Sequence, residues 1–271
     1  MKSTRTLHYN VQVHNKIAKN YEKIHGEIYN AVEQARVRET LKTAMKEVQT
    51  KAEKLHVLDF GCGAGNLTSH LTSLGAEVTA ADVSQGFLDL VASRTYQENV
   101  KSFLLNGNNL QGLPDATFDM VVMYSVLHHV PEYLSLIKEF ARVLKPGGVL
   151  LIDHEASEKI WEHSEAYQEF ARVIKKTSKR DYKKYLYIAN YIDKLLRMTV
   201  DPKYQREGDI HVWKDDHIMW SSIREKLQEA HMEIAQEEEY LLYRRGYDQA
   251  VYDSYKERIH DMHFCIARKV K

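Results

Sequence analysis

An apolar run that ends in an acid and opens into three alternate glycines constrains this chain most strongly. Its pattern predicts a buried strand, a tight loop and then a helix, an arrangement that directs backbone N–H groups and a helix N-terminus at a ligand. Glycine lets the loop turn sharply and approach that ligand with no Cβ in the way. A nucleotide-like ligand is therefore predicted. The stretch reads Val57-Leu58-Asp59-Phe60-Gly61-Cys62-Gly63-Ala64-Gly65-Asn66-Leu67.

The spacing of these glycines narrows the kind of ligand. A dinucleotide-binding loop has the pattern G-x-G-x-x-G, whereas this chain has G-x-G-x-G, with Asp59 two positions before the first glycine. A loop that cradles a pyrophosphate therefore fits poorly. An acid at the end of the strand instead suits a ligand that carries a positive amino group.

The charges of the 271-residue chain balance, since Lys and Arg total 38 and Asp and Glu also total 38. No bulk field therefore draws the molecule to nucleic acid or to an anionic membrane. The two cysteines, Cys62 and Cys265, give neither a disulfide framework nor a metal-ligand cluster. The N-terminal residues lack the apolar core of a signal peptide, and no stretch is long enough to span a bilayer. We expect a cytoplasmic protein.

Strands and helices alternate from residue 55 to residue 153, with short connections between them. This alternation implies right-handed crossovers and a parallel sheet in a doubly wound α/β fold. The sequence predicts strands at 55–60, 77–82, 100–105, 118–124 and 148–153, and helices at 66–74, 85–94 and 132–143.

The flanking segments are predicted to complete this core, which spans 51–155. Residues 1–50 form a helical cap, with helical spacing of apolar residues over 10–50, and residues 156–215 form a helical insertion. Residues 216–271 supply the last elements of the sheet. Within them we predict a helix at 216–231, strands at 237–243 and 262–268, and a short helix or an extended excursion over 246–260.

Five ordered motifs between residues 55 and 153 resemble class I S-adenosylmethionine-dependent methyltransferases, in particular the small-molecule group similar to the ubiquinone and menaquinone C-methyltransferases. The resemblance implies a Rossmann-like seven-stranded sheet, mostly parallel with an antiparallel last strand, and S-adenosylmethionine as the cofactor, with S-adenosylhomocysteine as the product. The motifs are the glycine loop, Ala81-Asp82-Val83-Ser84, Phe118-Asp119-Met120-Val121-Val122, Leu127-His128-His129-Val130 and Leu144-Lys145-Pro146-Gly147-Gly148.

Asp82 ends the second predicted strand 21 residues beyond Gly61, where a carboxylate has the two acceptor oxygens that a ribose diol needs. The resemblance implies that Gly61 and Gly63 line the methionine and ribose part of the cofactor. It also implies that Asp59 orients the loop near the amino group and that Asp82 holds the ribose.

Four further residues complete the predicted cofactor site. Asn108 is expected at the adenine amino group, with Asn109 or Gly107 as alternatives within the register error. Tyr21, in an N-terminal stretch that resembles the group's alanine-then-tyrosine signature, is expected to close over the sulfonium end. Val83 and Ser125 lie in the motif segments that follow the second and fourth strands, and the resemblance places them beside the cofactor too.

Titratable residues follow the fourth and fifth strands, at the carboxyl edge where ligands of doubly wound sheets bind. If the reaction uses a general base, we expect His154 first and Glu155 or His128 next. No metal site is predicted. A basic and aromatic run at 175–187 makes the 156–215 insertion the predicted lid over the methyl acceptor.

The predicted function is transfer of a methyl group to an O, N or C nucleophile of a small molecule. A methyltransferase that acts on RNA or protein, a non-catalytic cofactor-binding or regulatory protein, and a nicotinamide-dependent oxidoreductase stay open as alternatives. We expect no nucleic-acid partner and no membrane span, and a monomer or a homodimer.

Overall fold

The computed structural model describes residues 2–94, 99–107, 109–162, 164–177, 188–199 and 201–270. The predicted adenine residue Asn108 and most of the basic run, 178–187, lie outside the described residues. The helices are α1 (Lys2–Ile17), α2 (Tyr21–Ile24), α3 (Ala31–Lys46), α4 (Asn66–Ser73), α5 (Gln85–Ala92), α6 (Tyr133–Val143), α7 (Glu165–Thr177), α8 (Ile188–Thr199), α9 (Trp220–Glu229) and α10 (Gln249–Tyr255).

Seven strands of the described chain form one twisted sheet. The strands are β1 (His56–Phe60), β2 (Glu77–Asp82), β3 (Val100–Leu104), β4 (Phe118–Tyr124), β5 (Leu144–Ala156), β8 (Met232–Tyr240) and β9 (Met262–Lys269), and a separate two-stranded hairpin joins β6 (Val212–Trp213) to β7 (Asp216–His217). The order across the sheet is β3-β2-β1-β4-β5-β9-β8. All pairings from β3 to β5 are parallel, and β9 runs antiparallel to both of its neighbours. The predicted fold class, with its antiparallel last strand, is confirmed.

The two faces of the sheet bury two separate apolar clusters because successive strand residues point to opposite sides. Leu58 packs with Phe140 of α6 and Trp220 of α9 on one face. Val57 packs with Leu41 of α3 and Leu71 of α4 on the other. Helices therefore cover both faces, and the carboxyl ends of β1, β2 and β4 meet at one edge.

Three predicted boundaries were wrong. The strand predicted at 237–243 is Met232–Tyr240. It is an edge strand, and its charged residues obscure the alternation of apolar and polar residues that marks a strand. The helix predicted at 216–231 is Trp220–Glu229, because its first two residues belong to the β6–β7 hairpin. The strand predicted at 148–153 runs from Leu144 to Ala156, and the turn at 146–148 is a bulge between the pairs Phe118–Leu144 and Met120–Val149.

The flanking segments contain the predicted helices. The N-terminal part contains α1, α2 and α3, with a break between Ile24 and Ala31, and the insertion contains α7 and α8. α10 gives the short-helix alternative for 246–260. No helix in the described ranges is long and apolar enough to cross a membrane.

Candidate functional site: a cavity at the glycine loop

The glycine loop is held against the neighbouring strand by its own backbone. The N–H groups of Gly61 and Cys62 both donate to the carbonyl of Ala81, at 2.8 and 3.0 Å. Gly61, Gly63 and Gly65 have φ values of 70°, 49° and 85°, in the left-handed region that glycine adopts without strain. The sequence forms this loop because a residue with a Cβ would resist each of these three conformations.

The first two glycines are needed for different reasons. A Cβ at Gly61 would lie 2.6 Å from Cγ2 of Val126, so this glycine lets the loop approach the segment that follows β4. A Cβ at Gly63 would meet no described heavy atom within 4 Å. Gly63 therefore faces open space, and that space is a cavity at the carboxyl edge of the sheet.

This cavity encloses about 1070 Å³ of empty space, including the solvent at its mouth. Most of the surface that faces the cavity is apolar, with a small number of polar groups aimed into it. Among its lining residues are seven predicted from sequence: Tyr21, Asp59, Gly61, Gly63, Asp82, Val83 and Ser125.

Asp82 braces the loop while it faces the cavity. Its Oδ2 accepts from the Gly63 N–H at 2.9 Å and its Oδ1 accepts from the Ser84 N–H at 2.8 Å. An ionised carboxylate accepts about four hydrogen bonds, so capacity for two more remains. Burial raises the pKa of Asp82 to about 6, although these backbone donors oppose the rise.

Asp59 is the acid of the cavity wall whose pKa burial raises furthest. It is 1% exposed, and its Oδ2 accepts from the Thr68 hydroxyl at 2.5 Å. Burial raises its pKa to about 7, the Thr68 hydrogen bonds lower it, and the nearby charge of Asp82 adds to the rise. A positive group in the cavity would lower the pKa of Asp59, because it favours the carboxylate form.

The N-terminal elements close the cavity on the side opposite the sheet. Tyr21 packs edge-to-face on Phe87 of α5, with ring centroids 5.2 Å apart, and on Tyr29, at 6.4 Å. Asn10 and His14 of α1 also line the wall. α1 is held to the core by Asn15, whose Oδ1 accepts from the Gly86 N–H at 2.9 Å.

Asn66 is a lining residue that sequence reasoning missed. Its Oδ1 accepts from Gln34 Nε2 at 2.9 Å, which fixes the amide, and its Nδ2 is buried with no hydrogen-bond partner among the described residues. A buried donor without a partner is costly, so this group is suited to an acceptor atom of a ligand. A usable signal was its place as the first residue of the helix that follows the glycine loop.

The loop after β3 lines the far end of the cavity. Gly107 and Asn109, the two alternatives to Asn108, both line it. Asn109 Oδ1 accepts from Asn106 Nδ2 at 2.8 Å and from the Gln111 N–H at 3.0 Å. This side chain therefore already braces its own loop.

The structure places His154, the first candidate for a base, behind the cavity wall. It is 5% exposed, is not among the described lining residues, and stacks on Tyr124 with ring centroids 4.3 Å apart. Its Nδ1 lies 3.2 Å from the Tyr240 hydroxyl. Next to it, Arg36 pairs with both Asp153 and Glu33. Tyr124, which does line the cavity, donates its hydroxyl hydrogen to Glu33 at 2.8 Å.

His128 pairs with the buried Glu155, and both residues lie outside the described cavity lining. His128 Nδ1 lies 2.8 Å from Glu155 Oε2, and Glu155 Oε1 accepts from the N–H groups of Val126 and Leu127 at 2.8 and 2.7 Å. Although burial opposes protonation, the Glu155 carboxylate raises the pKa of His128 to about 9. The pair therefore anchors the turn after β4.

His129 is the neighbour that reaches the cavity. It lines the wall, and its ring packs edge-to-face on His14 with centroids 5.1 Å apart. Burial, aided by the charges of His128 and His14, lowers its pKa well below the usual value. Its imidazole is thus neutral at physiological pH.

Comparison with known proteins shows which family the residues around this cavity resemble. Residues 58–152 match the family described as a methyltransferase domain. A ubiquinone biosynthesis O-methyltransferase of Coxiella burnetii is 32% identical over 105 residues, 38% of this chain and 45% of that protein. A demethylmenaquinone methyltransferase of Lysinibacillus sphaericus is 29% identical over 196 residues, 69% of this chain and 81% of that protein. The chain thus spans less than half the length of the first relative.

Solved structures share the fold over nearly the whole chain. A methyltransferase of Haloferax volcanii, solved with the Trm112 methyltransferase activator, has a TM-score of 0.57 at 14% identity and covers 95% of this chain and 98% of its own. The 1,6-didemethyltoxoflavin-N1-methyltransferase of Burkholderia thailandensis, solved with 1,6-didemethyltoxoflavin and S-adenosylhomocysteine, has a TM-score of 0.55 at 15% identity and covers 96% and 88%. At such identities the likeness establishes the fold.

Proposed function

We propose that the protein transfers a methyl group from S-adenosylmethionine to an O, N or C nucleophile of a small molecule, because residues 58–152 match the family described as a methyltransferase domain. The observation that carries the proposal is the wall of the cavity. Gly63 leaves it open, Asp82 has acceptor capacity left, and Asn66 presents a donor without a partner. These groups complement a ribose diol and an amino-acid carboxylate.

The cofactor would be held along this wall. Asp82 is suited to the ribose hydroxyls, Asn66 Nδ2 to the carboxylate and Asp59 to the ammonium group of the methionine part, while Val83 and Leu105 offer apolar contacts to the base. Tyr21 and Phe87 would cover the sulfonium end, since aromatic faces favour a cation. The adenine contact predicted at Asn108 stays a prediction, and the two alternatives, Gly107 and Asn109, line the cavity.

The protein's part in the reaction is alignment and exclusion of water. S-adenosylmethionine supplies an activated methyl group on a sulfonium sulfur, which leaves as a neutral thioether. We assign His154, Glu155 and His128 to positioning, because His154 and Glu155 are buried and all three are hydrogen-bonded outside the described cavity lining. They hold Tyr124 and the turn that carries Val126 and His129 at the cavity.

A small molecule is the acceptor that the cavity favours. The N-terminal elements contribute to its wall, and most of its described lining is apolar, which suits a small organic acceptor better than a charged polymer. The relatives named for ubiquinone and demethylmenaquinone agree with a small acceptor. The cytoplasmic location and the monomeric or homodimeric state stay predictions.

The test is methyl transfer with a matched pair of glycine variants. Wild-type protein is incubated with methyl-labelled S-adenosylmethionine and a panel of phenols, quinols and aromatic amines. Gly63→Ala places a methyl group in the cavity, whereas Gly75→Ala adds one in open space outside the described lining, also at positive φ. We expect transfer by wild type and Gly75→Ala and its loss in Gly63→Ala. Equal activity of the two variants, or label in RNA or protein alone, would contradict the proposal.

A further inference from the structure

Two histidines and an aspartate converge beside the cofactor cavity. His128 Nε2 lies 3.9 Å and His129 Nδ1 lies 3.4 Å from Asp209 Oδ1, and the three atoms are all within 4.8 Å of one another. Atoms bound 2.0–2.2 Å from one tetrahedral ion are separated by about 3.4 Å. The three atoms are therefore nearly at ligand spacing.

Backbone contacts hold the two segments that carry these side chains together. The N–H groups of Ile210 and His211 both donate to the carbonyl of His128, at 3.0 and 3.2 Å. Asn10 Nδ2 donates to the carbonyl of His129 at 3.2 Å. Asp209 is thus held against the turn after β4 by the fold.

The surroundings of His128 are those of a metal ligand. Its Nδ1 lies 2.8 Å from Glu155 Oε2, and Glu155 is itself fixed by two backbone N–H groups, so Nε2 is turned toward Asp209. Histidines that bind metals almost always have a carboxylate, carbonyl or water at the other ring nitrogen. In addition, His129 Nδ1 is buried with no hydrogen-bond partner among the described residues.

We propose that His128, His129 and Asp209 form a binding site for a divalent transition-metal ion in the wall of the cofactor cavity. Two imidazoles and one carboxylate suit Zn²⁺ or Fe²⁺ better than Mg²⁺, which prefers oxygen ligands alone. Three protein ligands leave at least one coordination position for water or another oxygen. Since His129 also lines the cavity, the ion stands at that wall.

The experiment is a calorimetric titration of the full-length, chelator-treated protein with Zn²⁺, with Mg²⁺ in parallel. We expect one Zn²⁺ per chain with a micromolar or tighter Kd, and no saturable heat with Mg²⁺. The Asp209→Asn variant removes a ligand with little change of shape and should weaken Zn²⁺ binding at least tenfold. Circular dichroism checks that the variant is folded.

The chain has 14 histidines, so a control for other sites is needed. Outside the proposed site, His211 Nδ1 and Asp216 Oδ1 form another imidazole–carboxylate pair, 2.5 Å apart. Asp216→Asn should leave Zn²⁺ affinity unchanged. Absence of saturable binding to folded wild-type protein would overturn the proposal, as would wild-type affinity in Asp209→Asn. Neither result depends on methyl transfer.

Discussion

Replacing Asp59 with asparagine should stabilise the folded protein while weakening cofactor binding. The folded pKa of Asp59 is raised from 3.8 to about 7 by burial. A carboxyl whose folded pKa is raised loses stability as pH rises from the unfolded pKa to the folded one, because the unfolded state releases its proton first. Each pKa unit is about 1.4 kcal/mol, so at pH 8 the carboxylate costs about 4 kcal/mol.

The assay is urea unfolding of wild type and Asp59→Asn at pH 5 and pH 8. The cost at pH 5 is about 1.6 kcal/mol, so the advantage of the variant should grow by about 2.5 kcal/mol between the two pH values. Asp119 is a control for which the opposite effect on stability is expected. It is buried on the next strand, but donors that include Lys145 Nζ, at 2.9 Å, outweigh burial and lower its pKa. Asp119→Asn should destabilise the protein. A stability difference for Asp59→Asn that stays constant with pH would refute the reasoning.

Three further predictions concern the wall and its support. Asp82→Ala should weaken S-adenosylhomocysteine binding by about 1–3 kcal/mol, measured by calorimetry; unchanged affinity would remove Asp82 from the site. Asn66→Asp replaces a donor with a charge that repels the cofactor carboxylate, so affinity should fall more than tenfold at an unchanged melting temperature, whereas equal affinity would exclude the contact. Burial alone would raise the pKa of Glu33, but the hydrogen bonds and charges of His154 and Arg36 outweigh burial and lower this pKa to about 2. Stability should therefore fall by about 3 kcal/mol as pH drops from 4.5 to 2, a loss that Glu33→Gln should abolish in urea unfolding.

The core was predictable because its signals are local. The strand, glycine loop and helix of 56–73 are contiguous, and Asp82 follows its own strand directly, so spacing along the chain determined where these groups lie. β8 was harder because its edge position tolerates Glu233 and Glu237–Glu239, which break the apolar alternation.

Contacts between distant segments were not predictable. Asn66 is fixed by Gln34, and Asp209 is brought to His129 by an insertion 80 residues further on. His154 follows a strand at the ligand-binding edge, but its φ of 62° and the register shift between Ile152 and Glu155 turn its ring onto Tyr124. Position at a strand end gave its depth in the sheet but not the direction of its side chain.

The most direct test of the central claim is calorimetric titration of the folded wild-type protein with S-adenosylhomocysteine at pH 7. The proposed function predicts one site per chain, with an affinity that falls as pH drops below 6, because protonation of Asp82 removes acceptor capacity for the ribose. It also predicts loss of binding in Gly63→Ala and its retention in Gly75→Ala. Absence of binding of both S-adenosylhomocysteine and S-adenosylmethionine to the folded protein would contradict the claim.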